Sequence, residues 1–134
     1  MNERVILETS FVVDLEREII ARLHGQASRF LERHAGTRFY LTCTTAGELG
    51  AGAAADDREA WERFLSPFHV LAPDEQAAWH FGRIFRHLKD NGQLIGSNNL
   101  WIAATALAHD MPVATRHVEH YRRVPGLEVL DYAT

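Results

Sequence analysis

The chain has a single cysteine, Cys43, so no intrachain disulfide can staple it. Its stability must come from a buried core, and this cysteine usage fits a reducing cytoplasm. Cys43 sits in an apolar, strand-like run and reads as a buried, inert thiol. No apolar run approaches the roughly 18–20 residues of a membrane span, and no secretory leader is recognisable. Excess positive charge is also missing, since the formal net charge is −4. This argues against a general nucleic-acid coat protein, whose affinity grows with net positive charge. It leaves room for a local basic patch. Internal repeats and linker-like stretches are absent. What is present is ordinary for a globule: 46% apolar and 24% charged residues over a length that suits one domain, 1–134.

The apolar pattern alternates between two periods. Arg4 to Leu7 reads as a short strand whose run Val5-Ile6-Leu7 is uninterrupted by polar residues, as expected of a strand buried on both faces. Thr9 or Ser10 can cap a helix in which Phe11, Val12, Leu15, Ile19, Ile20 and Leu23 fall at helical spacing. That stripe is wide, so part of it packs on the core or meets another chain. After Gly25 comes a second amphipathic helix, 27–34, with Phe30 and Leu31 inward. Arg38 to Thr42 reads as strand two. Thr44 or Thr45 caps a helix carrying Glu48, and Gly50, Gly52 and the alanines around them allow close helix packing. Asp56 or Asp57 opens the next helix, and Pro67 stops it. Phe68 to Leu71 is strand three, and Pro73-Asp74 opens a long helix that ends at Asn91-Gly92. Pro112 to Ala114 is strand four, Val118 to Arg122 a short helix or turn, and Leu127 to Leu130 a last strand. Strands alternating with helices predict a parallel α/β/α sandwich.

The stretch from Gly96 to Leu107 organises the rest. Asn98 and Asn99 are polar helix-start residues, and an almost wholly apolar, alanine-rich run follows. This predicts a buried helix whose first turn, with free N–H groups, opens onto a polar pocket. Three other polar points can converge there: Glu8 after strand one, Glu48, and Thr115-Arg116-His117 after strand four. Glu8 and Thr115 lie at the carboxyl ends of strands, where open α/β sheets place their sites. Each residue also has a plainer role. Glu48 alone is an ordinary solvated helix residue, Asn99 and Thr115 can be simple caps, and His117 a surface residue. Asp14 and Asp110 read as solvated, and Trp61 and Trp101 as core. Arg116, His120, Arg122 and Arg123 form a basic cluster in sequence that can steer phosphates.

Four stretches together carry a resemblance. Val5–Ser10, Thr45–Leu49 with Gly52, Gly92–Ala104, and Val113–His117 followed by His120-Tyr121 and Val124–Leu127 resemble, in order, the motifs of the PIN-domain family. They are most similar to the small nuclease toxins of the VapBC toxin–antitoxin type. The resemblance implies a PIN-like three-layer α/β/α sandwich with a central, mainly parallel sheet. It also implies a metal-dependent endoribonuclease that takes Mg²⁺ or Mn²⁺, an RNA substrate, a cognate antitoxin and a homodimer. Carried onto this sequence, the catalytic and metal-binding positions are Glu8, Glu48 and Asn99, and the nucleic-acid contacts are Thr115, Arg116 and His117. The chain departs from the pattern at three places. The family's first acid, usually Asp, is Glu8; the third, usually Asp, is Asn99; and the variable fourth position matches His117. Glu8 carries one methylene more than Asp, a displacement of about 1.5 Å, and Asn99 removes one negative charge. An inactive PIN-like module that only binds protein or RNA is therefore the alternative.

Overall fold

The computed structural model describes residues 3–52 and 56–133. Five strands form one sheet: β1 (Arg4–Leu7), β2 (Arg38–Thr42), β3 (His69–Leu71), β4 (Val113–Thr115) and β5 (Val129–Asp131). Their order is β3-β2-β1-β4-β5, and all four neighbouring pairs are parallel. The helices are α1 (Thr9–Ala21), α2 (Gln26–Arg33), α3 (Cys43–Gly50), α4 (Arg58–Leu65), α5 (Glu75–Asp90), α6 (Ser97–Ala108) and α7 (Val118–Arg122).

The period of two along β1 explains the layers. Val5 and Leu7 point into one core with Phe11, Val12, Phe30, Leu41 and Tyr132. Ile6 points into the other with Ile84, Leu88, Leu100, Ile102, Val113 and Tyr121. A central strand covered on both faces has no polar side, which is why Val5-Ile6-Leu7 carries no polar residue. Each fully buried side chain of this size contributes about 1.5–3 kcal/mol of hydrophobic stabilisation. The expected parallel α/β sandwich is therefore present, with helices on both faces.

Several local expectations are corrected. Thr9 and Ser10 do not cap α1: Glu8 is its N-cap, without a side-chain cap bond. Thr42, not Thr44 or Thr45, caps α3, accepting from the Thr45 N–H at 3.2 Å. Cys43 is thus the first residue of a helix rather than part of a strand, and its thiol is exposed. Gly96 takes the N-cap position of α6, which moves Asn98 and Asn99 into its first turn. The last strand lies about two residues later than its apolar pattern placed it. Asp57 and Asp74 do cap α4 and α5, accepting from Ala60 N and Ala77 N. A Cβ on Gly50 would lie 3.4 Å from Trp61 Nε1, so the close packing expected there is met on the α4 side. The alanines at 53–55 lie outside the described residues.

Candidate active site

In an open parallel sheet, a crevice forms where the chain leaves neighbouring strands in opposite directions. Here that point lies between β1 and β4. From β1 the chain continues to β2 and β3 on one side, then returns to β4 and β5 on the other. Glu8 follows β1 immediately, and its N–H is bonded to Ala114 O at 3.0 Å. Thr115 is the last residue of β4 rather than the first residue after it. Its hydroxyl donates to Glu8 Oε1 at 2.5 Å. Ser10 Oγ donates to the same oxygen at 2.6 Å. Glu8 is 4% exposed, so its carboxylate is buried on two hydroxyls and no cationic side chain bonds it among the described residues.

Glu48 reaches the same cleft from the second turn of α3. Thr9 Oγ1 donates to Glu48 Oε1 at 2.9 Å and lies 3.0 Å from Thr45 Oγ1, three residues before Glu48 on the same helix face. Asn99, in the first turn of α6, completes the group. Its Oδ1 accepts from Tyr121 Oη at 3.1 Å. Tyr121 is fully buried; burial first, then the charges of Glu8 and Glu48, push its phenol far above the ordinary tyrosine range. Glu8, Glu48 and Asn99 line the same cleft.

The β4–α7 turn forms the opposite wall. Thr115 Oγ1, besides donating to Glu8, accepts from His117 N at 2.9 Å. Arg116 N donates to Ser10 Oγ at 3.1 Å, while its guanidinium pairs with Asp14 at 2.5 Å. The His117 ring stacks near His120, centroids 5.8 Å apart. Glu8, Glu48, Asn99, Arg116, His117 and His120 all line one open cleft. Five of the six expected site residues thus line the cleft, and the sixth, Thr115, is buried and bonded to Glu8. The expected basic cluster divides: Arg116 and His120 face the cleft, whereas Arg123 turns to Gln93 O and Leu94 O.

Asp14, Ser10, Arg17, Tyr121 and Tyr132 were not expected here. Asp14 is not solvated: its side chain is 13% exposed and it accepts from Tyr132 Oη at 2.5 Å. A signal for it existed. Positions 10, 14 and 17 are polar at i, i+4 and i+7, one stripe on a helix whose other face is apolar. Tyr121 falls in the closing motif stretch, but no local pattern marks its role or that of Tyr132, whose hydroxyls find partners only across the fold.

The donors offered to a cation are all oxygens: two carboxylates and an amide carbonyl. That set fits a hard divalent ion, which typically takes one or two carboxylates and completes its shell with water and phosphate oxygens. No group of three His, Cys, Asp or Glu side chains is placed to hold a metal among the described residues. The site thus offers a sparse ligand set, with Asn99 where a third carboxylate would strengthen it.

An all-parallel sandwich with carboxylates gathered at the switch point is a site suited to a hard cation and a charged substrate. The chain belongs to the PIN-domain family, whose profile matches residues 5–126. It is similar to ribonuclease VapC1 of Haemophilus influenzae, 28% identical over 132 residues, covering 95% of this chain and 96% of that one. The VapBC-1 structure from nontypeable Haemophilus influenzae contains a chain 27% identical, with a TM-score of 0.80 over 98% of this chain and 99% of that one. The DNA-bound VapBC structure from Salmonella typhimurium contains another, 27% identical, with a TM-score of 0.74 and 98% and 99% coverage. The chain is thus a homologue of VapC ribonucleases.

Proposed function

We propose that the protein is a metal-dependent endoribonuclease that hydrolyses phosphodiester bonds of unpaired RNA, and that it works as the toxin of a toxin–antitoxin pair in the cytoplasm. The observation that carries this reading is the buried Glu8 carboxylate, bonded among the described residues only to hydroxyls and facing the same cleft as Glu48 and Asn99. Glu8, Glu48 and Asn99 would hold Mg²⁺ or Mn²⁺, and the chemistry a bound ion would supply there is charge neutralisation at the phosphate and a more acidic water. The chain's own residues do the rest. Ser10 and Thr115 fix Glu8 Oε1 and leave its other oxygen to the cleft. Thr9 orients Glu48. Arg116 and His117 meet the RNA backbone from the β4–α7 turn, and Thr115 holds that turn in place. Unpaired nucleotides suit this open cleft, because a protein pocket reaches splayed bases and phosphates most easily.

The partner is an antitoxin, in keeping with the VapBC assemblies in which similar chains occur. The exposed apolar patch at the end of α1 and just after it, with Ile19 at 59%, Ile20 at 69% and Leu23 at 65%, is its contact. A homodimer, as in the resemblance, is part of the same reading.

One observation favours a second reading, a binding module without catalysis. Asn99 brings no charge, and its oxygen is already engaged by Tyr121. Calorimetric titration with Mg²⁺ and then Mn²⁺, on this chain and on Glu48→Ala, separates the two. Binding that disappears in the variant, together with metal-dependent RNA cleavage, is the expected result. No binding at millimolar metal and no cleavage leaves only the binding module.

A further inference from the structure

Arg116 is tied at both ends. Its backbone N–H donates to Ser10 Oγ, and its Nη2 lies 2.5 Å from Asp14 Oδ2. The same Asp14 oxygen accepts the Tyr132 hydroxyl at 2.5 Å. Tyr132 is 1% exposed and packed between Phe11 and Phe30, so it is a rigid post. Its hydroxyl also reaches Ser10 O at 3.2 Å, which ties the post to the segment bearing Glu8. Burial first, then the hydrogen bond and charge of Asp14, raise the Tyr132 pKa, so the phenol remains a donor. The result is a chain of contacts from the core, through a nearly buried carboxylate, to a guanidinium that is half exposed in the cleft.

We propose that Asp14 is a positioning residue, which with Tyr132 holds the Arg116 guanidinium over the cleft as a contact for an RNA phosphate beside Glu8 and Glu48. The proposal rests on the reading of this cleft as an RNA site. A guanidinium has five N–H donors in a planar fork, and Asp14 engages Nη2 alone, so the rest of the fork can meet phosphate oxygens. An unheld arginine samples many rotamers and loses that freedom on binding. Held by Asp14, it has lost much of it beforehand. Asp14 differs from Glu8 in that one of its two partners is itself a cation, the Arg116 guanidinium, which balances its charge.

The sign of the effect separates positioning from plain electrostatics. Asp14 is an anion lining a cleft that receives another anion. If charge alone mattered, removing it would tighten RNA binding, equally for Asp14→Ala and Asp14→Asn. Positioning predicts weaker binding, and less loss for Asn, whose amide oxygen can still accept from Arg116 and Tyr132.

The test is fluorescence anisotropy with a short, labelled, phosphorothioate single-stranded RNA of mixed sequence, in Mn²⁺, on the full chain. The forms compared are the unsubstituted chain, Asp14→Ala, Asp14→Asn, Arg116→Ala, and Asp14→Ala with Arg116→Ala. Arg116→Ala should weaken binding roughly tenfold, the loss of one charge-assisted contact. Asp14→Ala should weaken it several-fold, Asp14→Asn less, and the double variant no more than Arg116→Ala alone. The Mn²⁺ affinity of Asp14→Asn should equal that of the unsubstituted chain. Tighter binding in both Asp14 variants overturns the proposal, as do multiplying effects in the double variant or a parallel loss of Mn²⁺ affinity. Should Asp14→Ala fail to fold, Asp14→Asn, alone and combined with Arg116→Ala, decides by the same criteria. No RNA binding by the unsubstituted chain removes the RNA-site reading and this proposal together, whereas the preceding outcomes remove only the role of Asp14.

Discussion

The Tyr121 hydroxyl donates to Asn99 Oδ1 at 3.1 Å, and the direction of that bond is fixed. Burial, with the charges of Glu8 and Glu48 behind it, keeps the phenol protonated, so it can only give its proton to the amide oxygen. Tyr121 is therefore already a donor to whatever oxygen stands at position 99. Asn99→Asp places a third carboxylate beside Glu8 and Glu48 and keeps that hydrogen bond. The variant should bind Mg²⁺ and Mn²⁺ at least about tenfold more tightly, since ligand charge governs affinity for hard cations. RNA cleavage should rise with it. Calorimetry and a cleavage assay check both, and an unchanged metal affinity would count against the placement of the ion.

Thr115 joins the two strands that flank the cleft. Its hydroxyl donates to Glu8 and accepts from His117 N, and it is fully buried. Thr115→Val keeps the shape and removes both bonds, leaving a carboxylate short of a donor. Hydrogen bonds to charged groups contribute about 1.5–3 kcal/mol each, and an orphaned buried partner adds to the loss. Urea unfolding should show a decrease of about 1–3 kcal/mol with an unchanged m-value.

Glu18 caps α2 from a distance, accepting from Gly25 N, Ala27 N, Ser28 N and Ser28 Oγ. Partial burial opposes ionisation, but the bonds from Ser28, Ala27 and Gly25 outweigh it and hold the carboxyl below its ordinary 4.5. A depressed folded-state pKa stabilises the fold above the unfolded value, and that stabilisation is lost as the pH falls through the folded value. Glu18→Gln should therefore lower Tm at neutral pH, and the gap to the unsubstituted chain should close in acid below 4.5. Thermal unfolding across that range measures it.

Gly25→Ala tests the same cap sterically. An added Cβ would lie 2.6 Å from Glu18 Cδ and Oε2. A flexible carboxylate can move aside, but in moving it leaves the N–H groups of α2. The expected loss is about 1 kcal/mol, the usual effect of deleting a helix cap. Denaturant midpoints for Gly25→Ala and for Gly25→Ala with Glu18→Gln should show that the two changes do not add.

Ile20 is 69% exposed at the end of α1, next to exposed Ile19 and Leu23. Because the side chain is mostly in solvent already, Ile20→Glu should leave Tm nearly unchanged. Placed at the centre of the proposed antitoxin contact, the same charge should weaken antitoxin binding by roughly thirtyfold or more, as expected of a hot-spot side chain. Co-purification with the antitoxin and a melting curve give the two readings. Full affinity in Ile20→Glu would move the contact elsewhere.

Local rules read the scaffold well because they are local. The apolar stretch at Val5-Ile6-Leu7, the helical stripe from Phe11, and the caps Asp57 and Asp74 depend only on neighbours within a turn or a pleat. The same rules erred by one element boundary at Thr42-Cys43 and at Gly96, where a strand or loop passes directly into a helix. That one shift turned Cys43 from a buried strand residue into an exposed helix residue. The stripe from Phe11 divides: Phe11, Val12 and Leu15 are buried, while Ile19, Ile20 and Leu23 are exposed, the last of them beyond the helix.

The sequence by itself determined the alternation of strands and helices, and with it the parallel sandwich. Its four motif stretches identified the family and singled out Glu8, Glu48 and Asn99 as candidates. Only the tertiary structure decided which polar groups meet. Glu8 finds Thr115 107 positions away, and Asp14 finds Tyr132 118 positions away. Those encounters follow from strand order β3-β2-β1-β4-β5, which sets β4 beside β1 and opens the crevice between them. Periodicity says which face a residue takes on its own element. It carries no information about which distant element will face it, so the hydroxyls around Glu8 and the carboxylate holding Arg116 appear only once the sheet is assembled.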